Sequence, residues 1–383
     1  QWQPSPHLKN LLTKFYGKYL KTVIRSLTTR KKWSLWLLEK YWELGYEIAH
    51  WQDTFIADKI SIIVHQIPTA ENFVLSCAIT ELGGLSINLE RSMLFDYCSY
   101  LHNPPNHAYL LTGPYSLTQI PEPCFSLCTV QVGVLNADTQ PGIIPGYAEL
   151  KGQSSIILSV FDEIPYDWYF GDSIRQLYLA MLDLVNQDKR FGLLIKSKKP
   201  QVLEKLTEVN EGIQELKARG KCLELDWKVT VSRAAAASDI AVCVPSTALF
   251  ESVLTGTRTI VFNPMRSGTT IFYRNNGFNR RIFQDSGSML AALKKYADGK
   301  DETIGDCSDL AAFIDPFGDD KGSERIGNYL KWCLEGYAVG KDCHQTLMAA
   351  NERYIQAWGS DKVTDENADE RSPGYCPAAA GQP

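Results

Sequence analysis

Short apolar runs alternate with amphipathic helical stretches through the second half of the chain, and this alternation restricts the possible folds more than any other feature. Ser154–Phe161, Phe191–Ile195, Cys222–Leu225, Ile240–Val244 and Thr259–Phe262 read as strands. Between and after them, Asp172–Gln187, Pro200–Ala218, Thr230–Ala237, the stretch following Pro245 and Met289–Tyr296 read as helices. Strands apolar along their whole length belong in a sheet covered on both faces, and strand–helix alternation makes that sheet parallel and doubly wound. The first half repeats the pattern less regularly. Gly45–Ala49, Lys59–Val64, Leu85–Leu89 and Ala108–Leu111 read as strands, and Thr69–Leu82 reads as a helix closed at Gly83-Gly84. Residues 112–154 are rich in Pro and Gly and read as a linker or domain edge. The expectation is an α/β chain with two Rossmann-like domains facing each other across a cleft. Residues 1–150 form the first and 151–340 the second, followed at 341–383 by a helix and a polar tail, disordered from about Lys362.

The segment Ser238–Pro264 holds the densest chemical information. Ile240–Val244 ends at Pro245, and Ser246 and Thr247 fall where the next helix begins. Leu249, Phe250, Val253 and Leu254 then recur at helical spacing up to Gly256. A helix N-terminus offers unpaired N–H groups and a positive dipole end, which suits a phosphate. Glu251, one turn further in, is placed to accept from ribose hydroxyls. The competing reading of Ser246 is an ordinary N-cap.

Composition excludes several classes. The chain has 383 residues, 44% of them hydrophobic, so it is long enough for two cores. A net charge of −5 leaves no overall nucleic-acid footprint. No apolar run reaches the roughly 18 residues of a membrane span, and Gln1 opens no signal-peptide pattern. The ten cysteines lack a C-x-x-C pair, which points to reduced thiols in the cytoplasm and to no metal site. Leu8–Lys40 interleaves Lys and Arg with aromatic and aliphatic residues. It reads either as solvated helix faces or as a basic surface for an acidic polysaccharide or for an anionic membrane, the inner face of the cytoplasmic membrane.

Three loops follow successive parallel strands, at the rim where open α/β sheets bind ligands. They carry Asp162 and Glu163; Lys196, Ser197, Lys198 and Lys199; and Ser246 with Thr247. Cations and N–H groups for phosphate, with carboxylates for the sugar, suit a sugar nucleotide. Asp226 follows Cys222–Leu225 at the same rim. Met265–Arg281 adds Arg266, Arg274, Arg280 and Arg281, whose forked donors suit a donor carboxylate or an acceptor.

The order Asp162-Glu163, IKSKKP (Ile195–Pro200) and PST with a following Glu (Pro245–Thr247, Glu251) resembles the GT-B glycosyltransferases that use CMP-activated acidic sugars. The closest likeness is to bacterial Kdo transferases, the retaining β-Kdo transferase domains of capsule and O-antigen synthesis. Ile314–Leu330, IDPFGDDKGSERIGNYL, is similar to the ending of bacterial surface-polysaccharide proteins. The likeness covers about residues 155–335, and the first 150 only in architecture. Two departures stand out: Ile164 and Pro165 follow the acidic pair where the family has Gly, and Lys198 or Lys199 stands where it has histidine.

The resemblance implies a GT-B fold with C-terminal helices crossing back, and metal-independent transfer of Kdo from CMP-Kdo to a surface-glycan hydroxyl. No cofactor is needed beyond the CMP-sugar substrate. Asp162 is the implied general base; Asp226, at the same rim, is its rival. Glu163 and Asp239 are weaker candidates, Asp239 being placed to bond the backbone at its strand's start. Lys196, Ser197, Lys198, Lys199, Ser246, Thr247, Glu251 and Arg266 are the implied donor-binding set. Four alternatives stay open: a sialyltransferase, a CDP-glycerol-type transferase, a UDP-N-acetylglucosamine 2-epimerase-like enzyme, and a non-catalytic carbohydrate-binding module.

Overall fold

The computed structural model describes residues 33–66, 70–90, 106–120, 126–135, 144–163, 172–266 and 270–365. Most of the basic segment Leu8–Lys40 lies outside them, as do His102 and the residues after Asp365.

Two sheets organise the chain. The first contains β1 (Ile62–His65), β2 (Leu85–Leu89), β3 (Ala108–Leu111) and β4 (Cys128–Gln131), all parallel. The second contains β5 (Ile156–Phe161), β6 (Phe191–Lys196), β7 (Cys222–Glu224), β8 (Ile240–Cys243), β9 (Arg258–Phe262) and β10 (Ile282–Phe283). Its order is β10-β9-β8-β5-β6-β7, again parallel throughout. A final strand, β11 (Val363–Asp365), returns to the first sheet and pairs antiparallel with β4. In the second sheet the chain winds outward in both directions from β5, so the strand order reverses between β5 and β8. Such a reversal opens a crevice above the strand ends.

Both faces of the second sheet are covered, which is why its strands are apolar throughout. One face buries Leu158, Val160, Leu193 and Ile260 under the helices Ser173–Gln187, Thr207–Ala218 and Ser286–Ala297. The other buries Ile157, Phe161, Leu194 and Val261 against Leu249, Phe250 and Val253 of helix Thr247–Leu254. The first sheet is finished by the far end of the chain. Helices Gly322–Ala338 and Cys343–Trp358 place Ile326, Tyr329, Cys333, Leu347, Ala350 and Tyr354 among its buried residues. Tyr354 donates to the Gln131 carbonyl at 2.6 Å. The C-terminal helices therefore cross back, and the crossing begins within the stretch 151–340.

Four local expectations need correction. Gly45–Ala49 is helical, inside Trp33–Ala57, because Ile48 and Phe55 pack on Val74, Ala78 and Ile79 of helix Ala70–Glu81. The Pro- and Gly-rich stretch 112–154 contains β4 and helix Tyr147–Gln153. Pro200–Ala218 is two helices, Pro200–Glu204 and Thr207–Ala218. The stretch after Lys362 opens with β11 before the described residues end.

The two units meet closely at Gly113, the cap of the short helix Pro114–Leu117. A Cβ there would lie 2.2 Å from the Ile314 carbonyl oxygen and 2.9 Å from Pro316 Cδ. Its φ of −175° is extended backbone, so space alone selects glycine. Gly113→Ala is expected to cost about 1–3 kcal/mol, because a backbone carbonyl cannot step aside as a side-chain tip can. A lowered thermal midpoint checks this, and an unchanged one would show that the two units separate freely at this point.

Candidate functional site

The loops after β5, β6 and β8 converge on one cavity of about 160 Å³ at the strand-order reversal. Phe161, Asp162, Glu163, Lys196, Lys198, Val231, Ser246, Thr247 and Ala248 line it. Six of these nine were singled out from the sequence, on three separate loops. Lys198 and Ser246 face one space.

Asp162 anchors the site. The first residue beyond β5, it is buried, and its carboxylate accepts from Tyr178 Oη at 2.8 Å, Ser197 Oγ at 2.7 Å and the Lys198 backbone N–H at 2.7 Å. Ser197 Oγ also lies 2.8 Å from the Lys199 carbonyl, so its single proton is shared between the two acceptors. These bonds fix the backbone of the Lys196–Lys199 loop. Burial raises the Asp162 carboxyl above the usual carboxylate range despite the three donors. Lys198 itself pairs with Glu163.

Lys196, the last residue of β6, is buried, and among the described residues its ammonium makes one hydrogen bond, to the Ser197 carbonyl at 3.2 Å. Burial pulls its pKa below the ordinary lysine value, while Asp162, Glu251 and Asp226 pull it back up. A lysine so desolvated has donors to spare for an anion entering the cavity. Glu251 lies off the cavity wall. Its carboxyl is raised by burial and accepts from Ser232 Oγ at 3.4 Å.

Ser246 occupies the N-cap position of helix Thr247–Leu254 but makes no capping bond. Its hydroxyl is buried and has no hydrogen-bond partner. An unpaired buried hydroxyl costs roughly 1–3 kcal/mol, and natural caps avoid it by bonding the second or third backbone N–H of the helix. The reading of Ser246 as an ordinary N-cap is therefore corrected. Its oxygen stands on the cavity wall beside a helix N-terminus and Lys196, as an anion site requires.

The remaining expected residues lie around the cavity and not on it. Ser197 and Lys199 hold the loop. Asp226 sits in an exposed turn, accepting from the Lys228 N–H at 2.8 Å. Arg266 is exposed beyond β9. Of the other loop arginines, Arg274 stacks on the Phe313 ring at 4.2 Å, and buried Arg281 pairs with Asp309 and donates to the Asp306 carbonyl at 2.5 Å. The Arg281 guanidinium is taken up by the fold, which corrects its reading as a ligand, whereas Arg274 stays exposed with one face on the ring. His65 and His107 are buried in a polar cluster with Ser76, Ser86 and Asn106, so neither is presented to the cleft. His50 is exposed on helix Trp33–Ala57.

Sequence reading missed Tyr178, whose helical spacing marks only a core position, and Val231, just past the Thr230 cap. It also missed Glu90, which directly follows β2 and is held by the Thr112 N–H at 2.6 Å and Ser116 Oγ at 2.8 Å. The strand-end rule applied to β5, β6 and β8 would have found Glu90.

No family model matches the chain, and no curated protein matches it. Among solved structures it is similar to Staphylococcus aureus MnaA in complex with UDP. That alignment covers 76% of this chain and 81% of the other, at 14% identity and a TM-score of 0.51. A putative UDP-N-acetylglucosamine 2-epimerase from Listeria monocytogenes aligns over 76% of this chain and 78% of its own, at 11% identity and the same TM-score of 0.51. The fold is of the GT-B type. At such identities the likeness is one of architecture, and it agrees with the two parallel sheets and the returning C-terminal helices. Among the described residues no helix is long and apolar enough to cross a membrane, and no three metal-ligating side chains gather.

Proposed function

We propose that the chain is a sugar-nucleotide enzyme whose second domain holds the nucleotide's phosphate at Ser246, Thr247 and Lys196. The observation that carries this reading is the buried, unpartnered Ser246 hydroxyl on the cavity wall. A phosphate oxygen supplies the missing partner, accepting from Ser246 Oγ, from the first N–H groups of helix Thr247–Leu254 and from the Lys196 ammonium. Asp162 is committed to three donors, so it positions the Lys196–Lys199 loop. Glu163 is the cavity carboxylate assigned to proton movement.

Two donors are in contention. A uridine diphosphate sugar, used in an epimerase-like reaction, has the support of both structural neighbours, one bound to UDP and one named a putative UDP-N-acetylglucosamine 2-epimerase. We rank it first. CMP-Kdo transfer rests on the order of the Asp162, Lys196–Lys199 and Ser246 motifs, and ranks second.

Calorimetric titration with UDP, UDP-N-acetylglucosamine and CMP tests the reading. The parent should bind at least one of them. Ser246→Ala should lose about tenfold in affinity, the worth of one hydrogen bond to a charged group, while its thermal midpoint holds or rises because an orphaned hydroxyl is gone. The reading fails if no nucleotide binds at millimolar concentration, or if Ser246→Ala binds like the parent.

A further inference from the structure

The cavity is too small for the ligand proposed to use it. Clefts that enclose a whole ligand of drug size run from roughly 300 to 1,000 Å³. The space between Ser246, Lys196 and Asp162 is about 160 Å³. It takes a phosphate and part of what is joined to it, so the rest of a bound nucleotide must lie across the mouth.

One feature of the rim fits that remainder. Trp227 is 64% exposed, above Trp42 at 59% and the half-buried Trp51, Trp332 and Trp358. It sits in the loop after β7, next to the loop of β6. Three contacts hold that loop in place. The Leu225 N–H donates to the Ile195 carbonyl at 2.8 Å, tying the loop to the end of β6 beside Lys196. The Asp226 carboxylate accepts from the Lys228 N–H at 2.8 Å, and the Val229 N–H donates to the Asp226 carbonyl at 3.0 Å, which closes a turn with Trp227 near its apex. The Asp226 charge acts on the Lys196 ammonium, so the turn stands within electrostatic reach of the phosphate cradle. Val231, a wall of the cavity, follows four residues later, a distance of at most about 14 Å along the chain. The Lys228 ammonium lies 5.9 Å from the indole centroid.

We infer that Trp227 is the platform on which the nucleobase stacks when the phosphate is seated at Ser246, making it a specificity-determining residue for nucleotides over simple sugar phosphates. The inference rests on the proposed phosphate site. An exposed indole on a closed turn loses little entropy on binding, and every base has a π-face to lay against it. Lys228, beside the ring, adds a cation near the base edge or the ribose.

The test compares uridine 5′-monophosphate with ribose 5-phosphate, which carry the same phosphate and differ by the base. The parent should bind the nucleotide about tenfold or more tightly than the sugar phosphate. Trp227→Ala should lose that preference while binding ribose 5-phosphate as the parent does, and Trp227→Phe should keep part of it. Ser246→Ala should weaken both ligands alike. The side chain is exposed, so the variants fold as the parent does. If the parent binds neither ligand, the phosphate site and the platform fall together. If it binds both equally, or if Trp227→Ala keeps the preference, the platform is wrong and the phosphate site stands.

Discussion

Asp162→Ala is expected to destabilise the second domain by about 3 kcal/mol and to abolish nucleotide binding. The carboxylate is the shared acceptor of Tyr178 Oη, Ser197 Oγ and the Lys198 N–H. Ser197 retains the Lys199 carbonyl as an acceptor. The buried Tyr178 hydroxyl and the Lys198 N–H lose theirs, and the Lys196–Lys199 loop loses its fastening. Asp162→Asn separates positioning from proton transfer. Its amide oxygen still accepts from Lys198, so a positioning role predicts loosened binding and partial activity. A general base at this position predicts parental binding with turnover lost. Titration calorimetry alongside turnover with the donor identified by binding distinguishes the two.

Glu90→Gln is expected to remove a pH dependence of stability worth on the order of 3 kcal/mol. Burial raises the Glu90 carboxyl from an ordinary value of 4.5 to about 7, and the bonds from Thr112 and Ser116 only partly oppose this. The folded state therefore holds a proton that the unfolded chain releases. Stability falls as pH rises from about 4.5 to about 7 and levels off above, at about 1.4 kcal/mol per pH unit within the window. His65 and His107, whose pKa burial lowers, act with the opposite sign below their ordinary value of 6.5. The difference between parent and variant isolates Glu90. Glutamine keeps an oxygen for the Thr112 N–H and offers N–H to Ser116, so the variant should equal the parent at pH 4.5 and exceed it above pH 7. Thermal midpoints across that range decide, and parallel curves would refute the assignment.

The second sheet was legible because burial on both faces forces apolar strands, and because Pro200, Gly220 and Gly256 punctuate its helices in sequence. The phosphate loops were legible for the same reason, since strand ends locate them. What stayed hidden depends on partners far away in the chain. β4 is four buried residues in a Pro-rich region, and it becomes a strand because β3 and β11 flank it. Gly45–Ala49 has the composition of a strand and the structure of a helix, since its register is set by packing on Ala78 and Ile79. Helix Tyr147–Gln153 starts from Gly146 without a side-chain cap, so no start signal exists to be read. The break between Glu204 and Thr207 carries neither Pro nor Gly. In the cavity, residue types identified Lys196 and Ser246 as ligand candidates. That Asp162 is held by Tyr178 follows only from the helix laid across the sheet.

The chain closes its first sheet with residues 322–365, and this reverses the usual order of synthesis and completion. A ribosome releases every strand of the second sheet before the helices that cover the first have left the exit tunnel. The amino-terminal half thus waits as a nascent sheet with a bare face and an open edge, while the half made after it is already whole.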